Sequence, residues 1–114
     1  MFDTTGKLPT KENVFSYLCS RDADPFSWIG VTPARLIAEK FNTTTQKVYK
    51  VLHYLRDDGL VTVDTITTYD TYYGRNIILR GFALTDKARQ LDEWKKFADE
   101  YENSISNMFG EENS

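Results

Sequence analysis

The most constraining feature of this chain is a change of hydrophobic period at Gly59. Before it, four apolar residues recur at the intervals of one buried helix face: Val48, Val51, Leu52 and Leu55. After it, alternate residues are β-branched or aromatic, the pattern of a strand: Val61, Val63, Thr65, Thr67 and Tyr69. A helix that passes directly into a strand predicts a mixed α+β fold.

Capping signals predict two further helices before this one. Thr43 with Gln46 forms a capping box for the third helix, and Gly59 ends it with Leu60 packing back. Thr32 and Pro33 suit the start of the second helix, which Asn42 ends in a left-handed conformation. The first helix begins after Thr10, ends near Arg21 and buries one face: Val14, Phe15, Leu18 and Cys19. The turn of about four residues between the second and third helices has the length of a helix-turn-helix.

The rest of the chain predicts a hairpin and a long helix. Residues 70–76 read as the hairpin tip, the second strand runs from Ile77 to Leu84, and 26–29 suit a short extra strand. Thr85 caps a last helix from Asp86 to about Phe109. Its apolar residues follow a heptad seam: Leu91, Trp94, Ala98, Tyr101, Ile105 and Met108. These residues either cover the domain core or pair with a second subunit, and we favour a homodimer because the seam extends beyond what a small domain can cover.

Composition excludes several classes of function. The chain has 114 residues, which predicts one domain, and its one cysteine, Cys19, suits a core position. It has one histidine, no glycine-rich phosphate loop and no metal-ligand spacing, so we expect no enzyme, no cofactor and no metal. No apolar run reaches the length of a membrane span, and a cytoplasmic location is expected. Phe26, Trp28 and the C-terminal aromatics are expected in the core, so no small-molecule effector is predicted.

Three segments resemble bacterial winged-helix regulators. "TPARLIAEKF" is similar to their second helix, "TTTQKVYKVLHYLRDDGLV" to their recognition helix, and "GFALTDKARQL" to the exit from their wing. The length and layout, with Tyr49 in "VYKVLHYL", most resemble the PadR regulators, and MarR-like or phage regulators are equally open. Ala88 departs from the glycine usual there. The resemblance implies a lead at 1–9, a winged helix-turn-helix at 10–90, and a C-terminal dimerisation helix with a polar tail at 91–114.

The proposed reading face lies on the third helix, over about 44–57. The net charge is −3, but the window from Lys40 to Arg56 contains no acidic residue, and residues 97–114 contain five acids and no base. The outward side offers groups that bind bases or phosphates: Thr44, Thr45, Gln46, Lys47, Tyr49, Lys50 and His53. Arg75 at the hairpin tip suits the minor groove or its backbone.

The sequence therefore predicts a dimeric transcriptional regulator that binds specific sites in double-stranded DNA. Two alternatives stay open: a winged helix used for protein contact, which the acidic balance favours, and a phage or plasmid protein of replication or excision. The operator, the regulated genes, any effector and the sign of regulation cannot be read from these residues.

Overall fold

The computed structural model describes residues 7–25 and 30–109, the last two by their backbone only. In this part the elements are α1 (Lys11–Ala23), α2 (Ala34–Lys40), α3 (Thr45–Asp57), β1 (Val61–Asp70), β2 (Arg75–Leu84), α4 (Asp86–Arg89) and α5 (Asp92–Phe109). A helix, a two-helix unit, a hairpin and C-terminal helices in this order make a winged helix, so the predicted fold is confirmed. The short strand predicted at 26–29 lies outside the described residues.

The hydrophobic core lies where the three N-terminal helices meet the base of the hairpin and α5. Its largest fully buried side chains come from α1, α2, α3 and the segment before α2: Val14, Cys19, Val31, Ile37, Val48, Leu52 and Leu55. Val61 and Leu84, which pair across the hairpin base, close the core from that side. The predicted inward face of α3 is thus the one that is buried, with Val51 partly buried.

Helix α3 ends as the sequence predicts but begins one residue later. Thr44, and not Thr43, occupies the N-cap, where its Oγ1 accepts the Lys47 N–H at 3.3 Å. The predicted capping box of Thr43 with Gln46 is therefore wrong. Three consecutive threonines can each cap a helix, and the sequence alone does not distinguish among them. At the other end Gly59 has a φ of +77°, and the Leu60 N–H reaches the Leu55 carbonyl at 3.0 Å, which is the Schellman pattern.

Thr32 does not cap α2, which corrects the prediction. Pro33 occupies the N-cap without a side-chain hydrogen bond. Thr32 is buried, and its backbone N–H and carbonyl pair with Phe82 at 2.9 and 2.8 Å. Its Oγ1 accepts a hydrogen bond from Arg21 Nε at 2.8 Å. The backbone and the hydroxyl of Thr32 are therefore both bonded to residues outside α2. Asn42, with a φ of +52°, ends the helix in the predicted left-handed conformation.

The hairpin β1–β2 is the wing. The strands pair antiparallel from Val61 with Leu84 at the base to Asp70 with Arg75 at the tip, and the second strand begins two residues before the predicted Ile77. Gly81 permits the close approach of the preceding loop, because a Cβ there would lie 2.7 Å from the Thr32 carbonyl carbon and oxygen. The base of the wing is thereby fixed to the segment that leads into α2.

The prediction of a single C-terminal helix is wrong, because the helix is interrupted at Gln90 and Leu91. Thr85 caps α4 as predicted, accepting the Ala88 N–H at 3.3 Å, but α4 ends at Arg89. The break brings Arg89 and Trp94 together on Asp22 of α1. Arg89 donates to both Asp22 carboxylate oxygens at 2.8 and 3.1 Å, and Trp94 Nε1 donates at 2.9 Å.

Helix α5 uses much of its apolar side within its own domain. Phe97 and Tyr101 are buried at 4% and 6% exposure, and α5 packs mainly against α1. The Tyr101 hydroxyl hydrogen-bonds the buried Ser20 Oγ at 3.1 Å, and Ser16 Oγ donates to the Glu93 carboxylate. The heptad seam is thus interrupted: Leu91 precedes the helix and Tyr101 belongs to the core, while Trp94, Ala98 and Ile105 are partly buried. Met108 lies in α5, and its side chain is outside the described residues.

Candidate nucleic-acid interface

The predicted reading residues stand on the exposed side of α3 or at its N-cap. All of them are exposed: Thr44, Thr45, Gln46, Lys47, Tyr49, Lys50 and His53. The reason is local, because the apolar residues of α3 take the opposite side of the helix into the core. The structure therefore brings these residues together on one surface, which we call the α3 face.

The α3 face is positively charged over its N-terminal half. The first turn of α3 contains no acid, and the helix dipole adds partial positive charge at that end. Among the described residues, neither Lys47 nor Lys50 forms a side-chain hydrogen bond or an ion pair. Both ammonium groups are therefore available to an external anion.

The C-terminal half of the α3 face differs in charge. His53 Nε2 lies 3.4 Å from Asp57 Oδ2, one helical turn further on, and both side chains are largely exposed. The carboxylate places a negative charge at this end of the face. The N-terminal half is thus the part suited to contact a polyanion.

Tyr49 connects α3 to the wing. Its ring meets the ring of Phe82 on β2 edge-on, with centroids 6.0 Å apart, although 56% of Tyr49 is exposed. A residue predicted only as a DNA contact therefore also packs α3 against the wing. Sequence reasoning missed this second role because Phe82 is 33 positions away.

Arg75 lies at the far end of the wing, away from the α3 face. The Asp70 carboxylate organises the tip by accepting the Tyr72 N–H at 2.8 Å, and Gly74 takes a φ of +67°. The Arg75 guanidinium lies 5.4 Å from the Tyr73 ring centroid. In the strand register Arg75 pairs with Asp70, which puts it on the sheet face opposite Arg80.

Three arginines missing from the predicted set line a groove between α3 and the wing. Arg35 of α2, Arg56 of α3 and Arg80 of β2 converge there from three elements. The strand register decides which side of the sheet Arg80 faces. Arg80 pairs with Thr65 on the same side as Phe82, which is the side that meets Tyr49.

The wing exposes four large hydrophobic side chains. Ile78 is 72% exposed, and three tyrosines near the tip are more than half exposed: Tyr69, Tyr72 and Tyr73. Such side chains often mark contact surfaces. The sequence did not predict these exposed hydrophobic side chains. The alternation of residues along a strand predicts which residues share a face, but it does not predict whether another element covers that face.

Further observations on the described residues concern the cysteine thiol, metal ligands and membrane crossing. Cys19 is fully buried as predicted, and burial raises the pKa of its thiol to about 12, with the Glu93 and Asp22 carboxylates adding to the rise. A thiol of that pKa is a poor nucleophile at neutral pH. In the described part of the chain, no three potential metal ligands come together. None of the helices described there combines the length and apolar character that a membrane crossing requires.

Comparison with known proteins gives two solved structures. No family model matches the chain, and no curated protein matches it. The structure of MepR from S. aureus bound to ethidium bromide has a TM-score of 0.48 and 20% identity, over 90% of this chain and 65% of that one. A mutant of ZitR from Lactococcus lactis has a TM-score of 0.45 and 23% identity, over 95% of this chain and 66% of that one.

Both of these proteins are winged-helix regulators of the MarR family. This chain spans just under two thirds of the length of each. The likeness concerns the fold, and the assignment of this chain as a winged helix rests on its own element order and packing. The choice between PadR-like and MarR-like regulators stays a prediction.

Proposed function

We propose that this chain binds duplex DNA as a transcriptional regulator, with α3 in the major groove. The observation that carries the proposal is the N-terminal half of the α3 face, which is exposed, free of acids and supplied with two unpaired lysines. In helix-turn-helix proteins this half of the second helix reaches the base edges. Gln46 has the groups to pair with adenine, and Lys47 or Lys50 can donate to guanine or phosphate.

The wing supplies the second contact in this proposal. Arg75 is exposed at the tip beside Asn76, where it can reach a minor groove or its phosphates. Tyr49 links the two contacts, because its packing on Phe82 fixes the wing beside α3. Recognition by two elements at a fixed distance gives a defined register on the duplex.

The proposal includes a homodimer, for which the predicted heptad seam offers only part of its residues. Of the six seam residues, Tyr101 is used inside its own domain, while Leu91 keeps 38% exposure and Ile105 is partly exposed. A homodimer would place two recognition helices on successive turns of the groove. Sedimentation velocity over a range of concentrations tests this, and a single monomeric species at all concentrations would remove dimerisation from the proposal.

A gel shift with genomic fragments and random-sequence duplexes tests DNA binding. Binding through several phosphate contacts should weaken by orders of magnitude between about 50 mM and about 200 mM salt, because bound counterions are released. No shifted band on any duplex would remove the proposal.

A charge-matched pair of variants locates the binding surface. The double variant Lys47→Glu with Lys50→Glu should abolish binding, whereas Lys95→Glu with Lys96→Glu on α5 should bind nearly as well as the wild type. Circular dichroism checks that both variants remain folded. Equal loss in the two variants would mean that total charge, and not the α3 face, determines binding.

A protein-contact module is the second candidate, and the exposed aromatic and aliphatic side chains of the wing favour it. Ile78 and Tyr72 are 72% and 85% exposed, and the chain carries a net charge of −3. Under this alternative, Ile78→Ser would abolish partner binding and the lysine reversals would leave it intact. The gel shift separates the two candidates, although a replication or excision protein would also shift DNA.

A further inference from the structure

A groove lies between α3 and the wing. It has a volume of about 610 Å³ and lies between the start of α2, the outer side of α3 and the base of the hairpin. Its size falls within the range of pockets that hold small molecules, about 300 to 1,000 Å³. It meets the α3 face at Tyr49 and His53, whereas the two lysines of the proposed DNA contact, Lys47 and Lys50, do not line it.

The floor of the groove is apolar and partly aromatic. Val63 and Leu52 contribute aliphatic surface, and the rings of Tyr49 and Phe82 stand edge-on to each other along one side. Two small or rigid residues, Pro33 and Ala34, complete the other side. Such a surface favours a flat ring system, because aromatic side chains stack with any planar π-face.

The rim of the groove is cationic. The guanidinium groups belong to Arg35, Arg56 and Arg80, and none of them forms a side-chain hydrogen bond or an ion pair within the described residues. His53 adds a fourth polar group. No carboxylate lines the groove, and Asp57 is the acid that faces His53, 3.4 Å from its Nε2.

The charge of the rim indicates the kind of anion. Guanidinium forks donate paired hydrogen bonds to carboxylate or phosphate oxygens. Three such groups exceed what one carboxylate can accept and match the near-dianionic charge of a phosphomonoester. The aromatic floor supplies the second requirement, a planar ring attached to the phosphate.

We infer that this groove binds an aromatic phosphomonoester, the chemical class that includes nucleoside monophosphates. The three arginines hold the phosphate, and Tyr49 and Phe82 contact the ring. A DNA backbone would satisfy the arginines but would leave the apolar floor unused. The inference does not depend on the proposed DNA binding, because the ligand is titrated without DNA.

The test is a titration of the full-length protein followed by NMR chemical-shift changes, with three probes: adenosine monophosphate, adenosine and inorganic phosphate. Adenosine monophosphate should bind at least about tenfold more tightly than either of the others, since charge-assisted hydrogen bonds and ring contacts each contribute about one order of magnitude. The shifts should centre on Gly81, Phe82 and Tyr49. Equal affinity for inorganic phosphate and adenosine monophosphate would mean that the groove binds only a phosphate, such as one of DNA, and would overturn the inference. The absence of binding by any of the three probes would also overturn it.

Variants connect the affinity to the groove. Arg80→Gln should weaken adenosine monophosphate binding about tenfold, because it removes a charge-assisted pair. Tyr49→Leu keeps apolar volume but removes the ring, so it should weaken adenosine monophosphate and leave the weak binding of phosphate unchanged. Lys95→Gln on α5 loses the same charge outside the groove and should bind like the wild type. Equal effects of Arg80→Gln and Lys95→Gln would show that binding is non-specific and overturn the assignment.

Discussion

The two sides of this molecule differ in how their cations are paired. On the side formed by α1, α4 and α5, Arg89 is paired with Asp22 and Lys96 lies 3.4 Å from Glu93. On the side formed by α2, α3 and the wing, seven cations have no acidic partner within the described residues: Arg35, Lys40, Lys47, Lys50, Arg56, Arg75 and Arg80. The Arg89–Asp22 pair joins α4 to α1 and the Lys96–Glu93 pair lies within α5. Unpaired cations remain free to bind an external anion. The difference supports the proposal that the second side is the one that contacts DNA.

The largest expected effect on stability is at the centre of the paired side. Asp22→Ala leaves the Arg89 guanidinium and the Trp94 N–H without their common acceptor. We expect a loss of about 2–3 kcal/mol in the free energy of unfolding, because hydrogen bonds to charged groups are the stronger ones. Urea denaturation measures it, with Asp99→Ala on the outer side of α5 as the control. A loss no larger than in the control would show that these contacts do not hold α5 to α1.

The next effect concerns the contact that fixes the wing to the rest of the domain. Gly81→Ala places a methyl group 2.7 Å from backbone atoms of Thr32 and 2.9 Å from the Pro33 nitrogen. Overpacking of this kind costs about 1–3 kcal/mol. Gly30→Ala is the matched control, because nothing lies within 4 Å of its added methyl. Equal thermal stability of the two variants would contradict the close approach.

A smaller effect is expected from the buried thiol between the two sides. Burial holds the pKa of Cys19 near 12 against an ordinary value of 9.0. A raised pKa in the folded state means that this group's contribution is complete below pH 9 and declines as the pH rises toward 12. The free energy of unfolding of the wild type should therefore fall more steeply above pH 9 than that of Cys19→Ala. Parallel pH profiles would contradict the assignment.

The smallest effect is expected at an exposed pair between α1 and the end of α3. Lys11 Nζ lies 3.0 Å from Asp58 Oδ2, and this contact raises the pKa of Lys11. Because exposed pairs contribute little, Lys11→Met should leave the denaturation midpoint unchanged within error. A clear loss would mean that a paired charge can be structural even in water, which would sharpen the contrast between the two sides.

Local signals predicted most of the fold. Thr10, Thr85, Asn42 and Gly59 end or cap their helices as the sequence indicates, because these motifs depend only on neighbouring residues. The wrong predictions concern residues whose contacts are made with distant parts of the chain. Thr32 is bound by Arg21 and Phe82 and does not cap.

The candidate site shows the same division. The α3 face could be read from helical periodicity, because its burial pattern repeats within one element. The break at Gln90 and Leu91 could not, because it brings Arg89 and Trp94 to Asp22, more than 60 positions earlier. The arginine groove also escaped prediction, since the position of Arg80 depends on the pairing of two strands.

The most direct measurement of the central claim is the salt dependence of duplex binding for Lys50→Gln and Lys95→Gln. Lys50 lies on the unpaired α3 face and Lys95 on α5 beside the paired charges. Log affinity falls as log salt concentration rises, with a negative slope to which each phosphate contact contributes about 0.9. The magnitude of this slope should decrease by about 0.9 for Lys50→Gln and should not change for Lys95→Gln. Identical slopes for both variants and the wild type would contradict the account.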